Sequence, residues 1–302
     1  MLSFLPAPLH GAIMALLLII NTVFWASWVY LAVLLKLVVP VRPWRDFWSR
    51  RASDFAQHWA MVNVWFVNLF MRITWDIRIN ADVTPQGQYL VCCNHQTWND
   101  IFVVMKTFGR RAPFFKFFLK QELIWVPVLG LAWWGLDYPF MKRYSREQIE
   151  RNPKLAGVDL ATTRKACERF RNQPALILNF LEGTRFTPAK HEKQQSPYTH
   201  LLKPKSGGFA FTISALGQKL NSLLDVTIVY PDGAQGFWEF LCGRMRRVVV
   251  EVRQLEIPAE FYVGSYEADA EYRRRFQLWI GELWAQKDQR IVQLLAEAGP
   301  TA

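Results

Sequence analysis

The chain is poor in the residues that build metal centres and disulfide frameworks. Its 302 residues include four cysteines and five histidines. The cysteines are Cys92, Cys93, Cys167 and Cys242. There is no CxxC pair and no Cys/His group with zinc spacing, so a structural zinc site is excluded. A stapled secreted scaffold is excluded on the same ground, and a reduced, cytosol-facing catalytic portion fits better. Cys92 and Cys93 are adjacent in an apolar run and would face opposite sides of a strand. No internal repeat and no low-complexity segment is present, which excludes a solenoid and a disordered linker. Acidic residues are outnumbered 25 to 36, and the formal net charge of +11 favours an anionic partner. Nucleic acid and an anionic membrane surface both qualify.

Charge is also missing from one long stretch. Gly11 to Leu35 contains no charged residue. As a helix it would reach ~37 Å, against ~30 Å for a bilayer's hydrocarbon core. Residues 1–10 contain no Lys or Arg, whereas Lys36, Arg42, Arg45, Arg50 and Arg51 come after the run. The positive-inside rule then places the remainder of the chain on the cytoplasmic side of the cell (inner) membrane. A cleaved signal peptide does not fit, because a basic start and an A-x-A site are lacking. Pro40 and Pro43 bring a sharp stop, so a spanning helix and an in-plane helix both remain open. Either decides between the anionic partners: membrane lipid, not nucleic acid. Aromatics make up 15% of the chain, including 14 Trp, richer than ordinary soluble domains and consistent with lipid-facing surface. Asp54 to Arg72 repeats Phe55, Trp59, Val62, Phe66 and Leu69 at helical spacing. It reads as an interfacial helix or one packed on the domain core. Residues 1–72 are therefore expected to form an N-terminal anchoring region, and residues 73–302 an α/β domain.

In that domain, Ile73 to Asn80 alternates apolar and polar residues as a half-buried strand does. Tyr89-Leu90-Val91-Cys92-Cys93, Ala175 to Phe180, Val226 to Tyr230 and Val248 to Val252 read as further strands. Helices are expected over Asp159–Arg171, from the basic, glycine-bearing turn Lys203–Gly208 into Phe209, Ile213 and Leu216, and from about Tyr266 to Ala296. Tyr144 to Gly157 and Thr187 to Lys203 read as polar loops, with His191 and His200 solvated. The fold expected is α/β, with a mixed, mostly parallel central sheet flanked by helices behind a membrane-associated helical region.

Two strands end in chemically loaded corners. After Cys93 comes Asn94-His95-Gln96-Thr97-Trp98-Asn99-Asp100, with a helix starting between Thr97 and Asn99. The corner would let Asp100 fold back on His95. A histidine can take a proton from a hydroxyl when a carboxylate holds its other ring nitrogen. No serine or cysteine nucleophile lies between them, so the arrangement suits direct attack by a substrate hydroxyl. The competing reading is a surface histidine beside a capping aspartate. After Phe180 comes Leu181-Glu182-Gly183-Thr184-Arg185. Arg185 offers a planar fork of donors for phosphate, and Gly183 allows close backbone approach to an anion.

The two corners together resemble the glycerolipid acyltransferases, of the 1-acylglycerol-3-phosphate (lysophosphatidic acid) type. Asn94-His95 with Asp100 matches that family's His-four-residues-Asp box, and Phe180 to Arg185 matches its phosphate-binding box. The boxes lie roughly 85 residues apart, each after a strand, which is the context that supports a motif. The resemblance covers about Trp75 to Tyr230. It implies a membrane-bound O-acyltransferase in which His95 deprotonates an acceptor hydroxyl and Asp100 fixes the imidazole tautomer. The hydroxyl would attack the thioester of acyl-CoA or acyl-carrier protein. These donors enter as substrates, with no cofactor and no metal. Arg185, Arg143 and the Gly183-Thr184 backbone would hold the phosphate of a lysophospholipid, with Lys205 as a further candidate at its basic, glycine-bearing turn. Glu182 would orient Arg185 or an acceptor hydroxyl, and its place beside an arginine favours ionisation. The crowded aromatics and cations of residues 110–145 would hold the acyl chain.

Two departures from the family stand out. The glycine usual near position 137 is Asp137, and the proline usual before the strand at residues 226–230 is Asp225, with Pro231 at the far end. Two further readings stay open: an acyltransferase for another lipid or a glycan, and a non-catalytic, membrane-anchored protein that binds anionic ligands on the same scaffold.

Overall fold

The structure is a computed structural model that describes residues 5–142, 151–152 and 173–299. Arg143, the expected loop at 144–157, the expected helix at 159–171 and Cys167 lie outside the described residues, apart from Arg151 and Asn152.

A six-stranded sheet forms the centre, in the order β1-β8-β7-β2-β6-β3. Its strands are β1 (Thr74–Asn80), β2 (Gln88–Cys93), β3 (Phe115–Phe117), β6 (Ala175–Phe180), β7 (Ser222–Val229) and β8 (Arg247–Leu255). All neighbours run parallel except β7 and β8. A small second sheet pairs β4 (Leu119–Lys120) with β5 (Phe140–Met141). The sheet is mixed and mostly parallel, as expected. Its central strand β2 is buried along its whole length, which explains its unbroken apolar run.

Helices cover both faces. On one lie α1 (Ala7–Val38), α2 (Arg42–Phe70) and α3 (Asp100–Phe108), with α7 (Phe237–Leu241) beside them. On the other lie α6 (Gly207–Leu216) and α8 (Ala270–Ala298). The adjacent cysteines part as strand geometry requires: Cys93 joins the first core and Cys92 the second. Two further short helices are α4 (Leu129–Gly135) and α5 (Pro188–Gln194).

Three expectations need correction. Helix α2 begins at Arg42, twelve residues before the expected Asp54, with a proline in its first turn. Pro43 there starts a helix; it does not only end one. The expected loop at Thr187–Lys203 contains α5, started by the Thr187 side chain accepting from Lys190 N–H, with proline next. That cap-and-proline signal was present in the sequence. Asp225, expected to stand before its strand, lies within it, because β7 begins at Ser222. It is buried in β7, with Lys287 of α8 at 2.5 Å and Arg253 of β8 at 2.7 Å.

Helix α1 lies along the domain instead of standing away from it. His10, Met14, Leu18, Asn21, Val29, Ala32 and Lys36 form its buried stripe. Near its start, the His10 ring sits 2.8 Å from the Leu241 carbonyl and 3.2 Å from that of Phe70. Midway, Asn21 donates to Asn63 of α2 at 2.7 Å. Near its end, Lys36 pairs with Asp137 at 2.7 Å. Its opposite face exposes Leu9, Leu16, Ile19, Ile20, Phe24 and Trp28, among other apolar residues. Ala7–Val38 is the helix long and apolar enough to cross a membrane among the described residues.

Candidate active site

The site is assembled at the C-terminal ends of three adjacent parallel strands, β6, β2 and β7. Cys93, the last residue of β2, is in register with Phe180, the last of β6. The chain segments leaving both strands therefore emerge side by side, as ligand sites in open α/β sheets require. Asn94 ties the first corner to the third strand: its side chain donates to the Ile228 carbonyl at 2.8 Å and accepts from Ile228 N–H at 2.9 Å.

His95 and Asp100 meet. Nδ1 of His95 lies 2.7 Å from Oδ2 of Asp100. A carboxylate only accepts, so Nδ1 carries a proton, and in the neutral imidazole Nε2 then keeps its lone pair. Asp100 opens α3 and is buried. Its Oδ2 also accepts from Gln96 N–H at 2.7 Å and Thr97 N–H at 3.1 Å. The loop is thus wrapped around the carboxylate, and the side chain is locked before any substrate binds. The imidazole stacks on Phe180 from the second corner, ring centres 4.0 Å apart and planes 17° from parallel. Asn99 stands at the N-cap of α3, but its side chain makes no cap bond and, like that of Thr97, donates to the Gln235 carbonyl, at 2.8 and 2.6 Å, joining the corner to the loop before α7.

The second corner places Arg185 over the Trp98 ring, 4.7 Å from its centre. Lys190 donates to the Thr184 hydroxyl at 2.8 Å and to the Arg185 carbonyl at 2.9 Å. Gly183 has φ +67°, and a Cβ there would meet the Lys205 side chain at 3.0 Å. Gly183, Thr184, Arg185, Lys190 and Lys205 therefore gather cations and a close-approach backbone next to the dyad. Lys190 was not singled out from sequence, although its place three residues after the Thr187 cap brings it back over the corner.

Glu182 corrects an expectation. It orients neither Arg185 nor a site-facing hydroxyl. Its carboxylate is buried, accepting from His95 N–H at 2.8 Å and Leu202 N–H at 3.0 Å. Burial pushes its pKa up to about 7, against the lowering effect of both N–H donors. Its work is to hold the His95 backbone, which a neighbouring arginine in sequence does not reveal.

Tyr230 was missed by sequence reasoning. It comes directly after β7 and donates its phenolic O–H to Oδ1 of Asp100 at 2.6 Å. Burial, with Asp100 beside it, pushes the phenol well above its ordinary range, so it stays a donor.

A model of the Acyltransferase family matches residues 76–231, more than half of the chain and inclusive of all three strand ends. The chain belongs to the acyltransferase family. Among its relatives is the 2-acyl-1-lysophosphatidylinositol acyltransferase of Saccharomyces cerevisiae, 24% identical over 234 residues, which are 65% of this chain and 58% of that protein. The 1-acyl-sn-glycerol-3-phosphate acyltransferase delta of Homo sapiens is 30% identical over 121 residues, 37% of this chain and 30% of that protein. This acyltransferase thus spans less than two thirds of each of those relatives. Its fold is shared with the crystal structure of the 1-acyl-sn-glycerophosphate (LPA) acyltransferase PlsC from Thermotoga maritima. The TM-score is 0.50 at 16% identity, over 92% of this chain and 95% of that one.

Proposed function

We propose that this chain is a membrane-bound O-acyltransferase, moving a fatty acyl group from acyl-CoA or acyl-carrier protein to the free hydroxyl of lysophosphatidic acid or a related lysophospholipid. The observation that carries the reading is the buried Asp100 carboxylate 2.7 Å from Nδ1 of His95, which leaves Nε2 as a base. In this mechanism Nε2 takes the acceptor's hydroxyl proton as its oxygen attacks the thioester carbonyl. The tetrahedral oxyanion collapses, the carbon–sulfur bond breaks, and the imidazolium returns the proton to the departing thiolate. Asp100 stabilises the imidazolium between these two transfers. Arg185, on its Trp98 platform, with Gly183, Thr184 and Lys205, binds the acceptor's phosphate and so fixes the hydroxyl. Arg143 is proposed for the same phosphate on family resemblance. The names of the relatives support a lysophospholipid acceptor.

The geometry of α1 supports a helix lying in the membrane plane. Its contacts at His10 and Lys36 are about 39 Å apart along the axis, and both reach the same α/β body. A helix fastened so at both ends cannot cross the bilayer while the body stays on one side. Its exposed apolar face, with Trp134 of α4 and Trp238 of α7 exposed next to its two ends, fits lipid. Met61, Val104, Met105, Phe114, Phe115 and Leu176 line a space of about 10 Å³ under α2, too small for an acyl chain.

The test is detergent-solubilised protein with labelled acyl-CoA or acyl-carrier protein and a panel of lysophospholipid and glycan acceptors. Turnover that His95→Ala abolishes supports the reading, and the preferred acceptor names the substrate. Equal turnover in both proteins overturns the mechanism.

A further inference from the structure

The Asp100 carboxylate divides its partners between two sources. Oδ2 takes His95 Nδ1–H and two backbone N–H groups from its own loop. Oδ1 takes the phenol of Tyr230, 130 residues later in the chain. A phenylalanine would fill the same space. The hydroxyl is buried, and an unbonded buried hydroxyl is costly, so its presence has meaning only through its partner. That partner is the carboxylate that holds the base. The strand order makes the contact: β7 lies beside β2, and Asn94 clamps the two ends together through Ile228.

We propose that Tyr230 is a positioning residue for the His95 base: it holds the Asp100 carboxylate toward the imidazole and, by drawing charge onto its own hydrogen bond, sets how basic that imidazole is. The catalytic meaning rests on the acyl-transfer reading above, whereas the coupling from Tyr230 through Asp100 to His95 does not. A donor removed from one carboxylate oxygen leaves more charge for the other, which stabilises the imidazolium. Among the described residues, Cys93 from β2, Glu182 after β6, Lys287 from α8 and Arg185 above Trp98 are ionisable groups facing this cluster. All four are present in the wild type and the variant, so their effects cancel in the comparison.

The experiment is a ¹⁵N-histidine NMR titration of the full chain in detergent, with the His95 signals assigned through His95→Gln. It is read alongside the pH profile of kcat. In Tyr230→Phe the His95 titration should move upward by roughly 0.5–1 pH unit, as expected for loss of one charge-assisted hydrogen bond. The acidic limb of kcat should move upward with it, because the base works only when unprotonated, while KM changes less than about twofold. A role in packing alone would lower the melting temperature and leave the titration in place, and that result overturns the proposal. If Tyr230→Phe does not fold, 3-fluorotyrosine at position 230 gives the opposite sign. Its stronger donor should lower the His95 titration, and an unchanged value overturns the coupling. A shifted titration with no turnover on any acceptor sinks the acyl-transfer reading and leaves the coupling standing. His95-dependent turnover with an unmoved titration does the reverse.

Discussion

Lys36, near the end of the apolar helix α1, donates to Asp137 at 2.7 Å, and Asp137 holds a φ of +62°. Position 137, near which the family resemblance leads one to expect glycine, thus keeps a backbone that glycine favours, while its aspartate side chain tethers α1. The left-handed backbone costs an aspartate about 1 kcal/mol, which the tether offsets. Tyr30 makes a second contact here, donating to the carbonyl of Val128, another residue at positive φ.

Asp137→Ala should remove the tether, keep the strain and leave Lys36 facing a mostly buried site, costing about 2–4 kcal/mol. Asp137→Gly should cost about 1 kcal/mol less, because glycine adopts the positive φ without strain. Urea unfolding in detergent measures both, and equal losses would mean that the backbone at residue 137 carries no strain.

Nitroxide labels at Leu9, Ile20 and Leu31 on the exposed face of α1 should report one shallow depth in vesicles, within about 5–10 Å of the headgroup boundary. A spanning helix would put Ile20 roughly 16 Å deeper than Leu9. Power-saturation EPR separates the two, and a deep Ile20 would exclude the in-plane arrangement.

Glu182 titrates near 7 when folded, above the ordinary carboxylate value of 4.5. Between those values the folded chain holds a proton that the unfolded chain has released. The stabilisation is full below 4.5 and fades as pH rises through about 7, by on the order of 3 kcal/mol. Urea midpoints should therefore fall from pH 5 to 7.5 in the wild type relative to Glu182→Gln. Parallel curves for the two proteins would count against a raised Glu182.

Trp98→Ala should deprive Arg185 of its ring platform and raise KM for a phosphate-bearing acceptor by about 3- to 10-fold, with kcat nearly kept. An acceptor without phosphate should show no change. Loss of kcat with KM untouched would place Trp98 in the chemical step.

Lys287 and Asp225 are both fully buried, and Lys287 also donates to the Val226 carbonyl at 2.6 Å. Lys287→Met should destabilise by about 3 kcal/mol, because the buried Asp225 loses one of its two ion-pair partners and keeps Arg253. Adding Asp225→Leu should recover most of that loss. A double variant as unstable as the single one would show that the methylene packing of Lys287, not its charge, is what matters.

What the amino-acid order determined is local. Strand β1 is legible by its alternation and β2, β6, β7 and β8 as short apolar runs, whereas the short β3, β4 and β5 are not. His95 meets Asp100 because only four residues of one strand-to-helix loop lie between them. The apolar length of α1 and the cations of the second corner are equally plain in the letters. The tertiary structure decided every pairing between distant segments. Tyr230 reaches Asp100 only because β7 lies beside β2. Glu182 turns from Arg185 to the His95 backbone because β6 ends level with β2. Lys36 finds Asp137 across 101 residues because α1 lies along the body. Such contacts depend on strand order and helix docking, which come from the packing of the whole core, and no window of neighbouring residues encodes them.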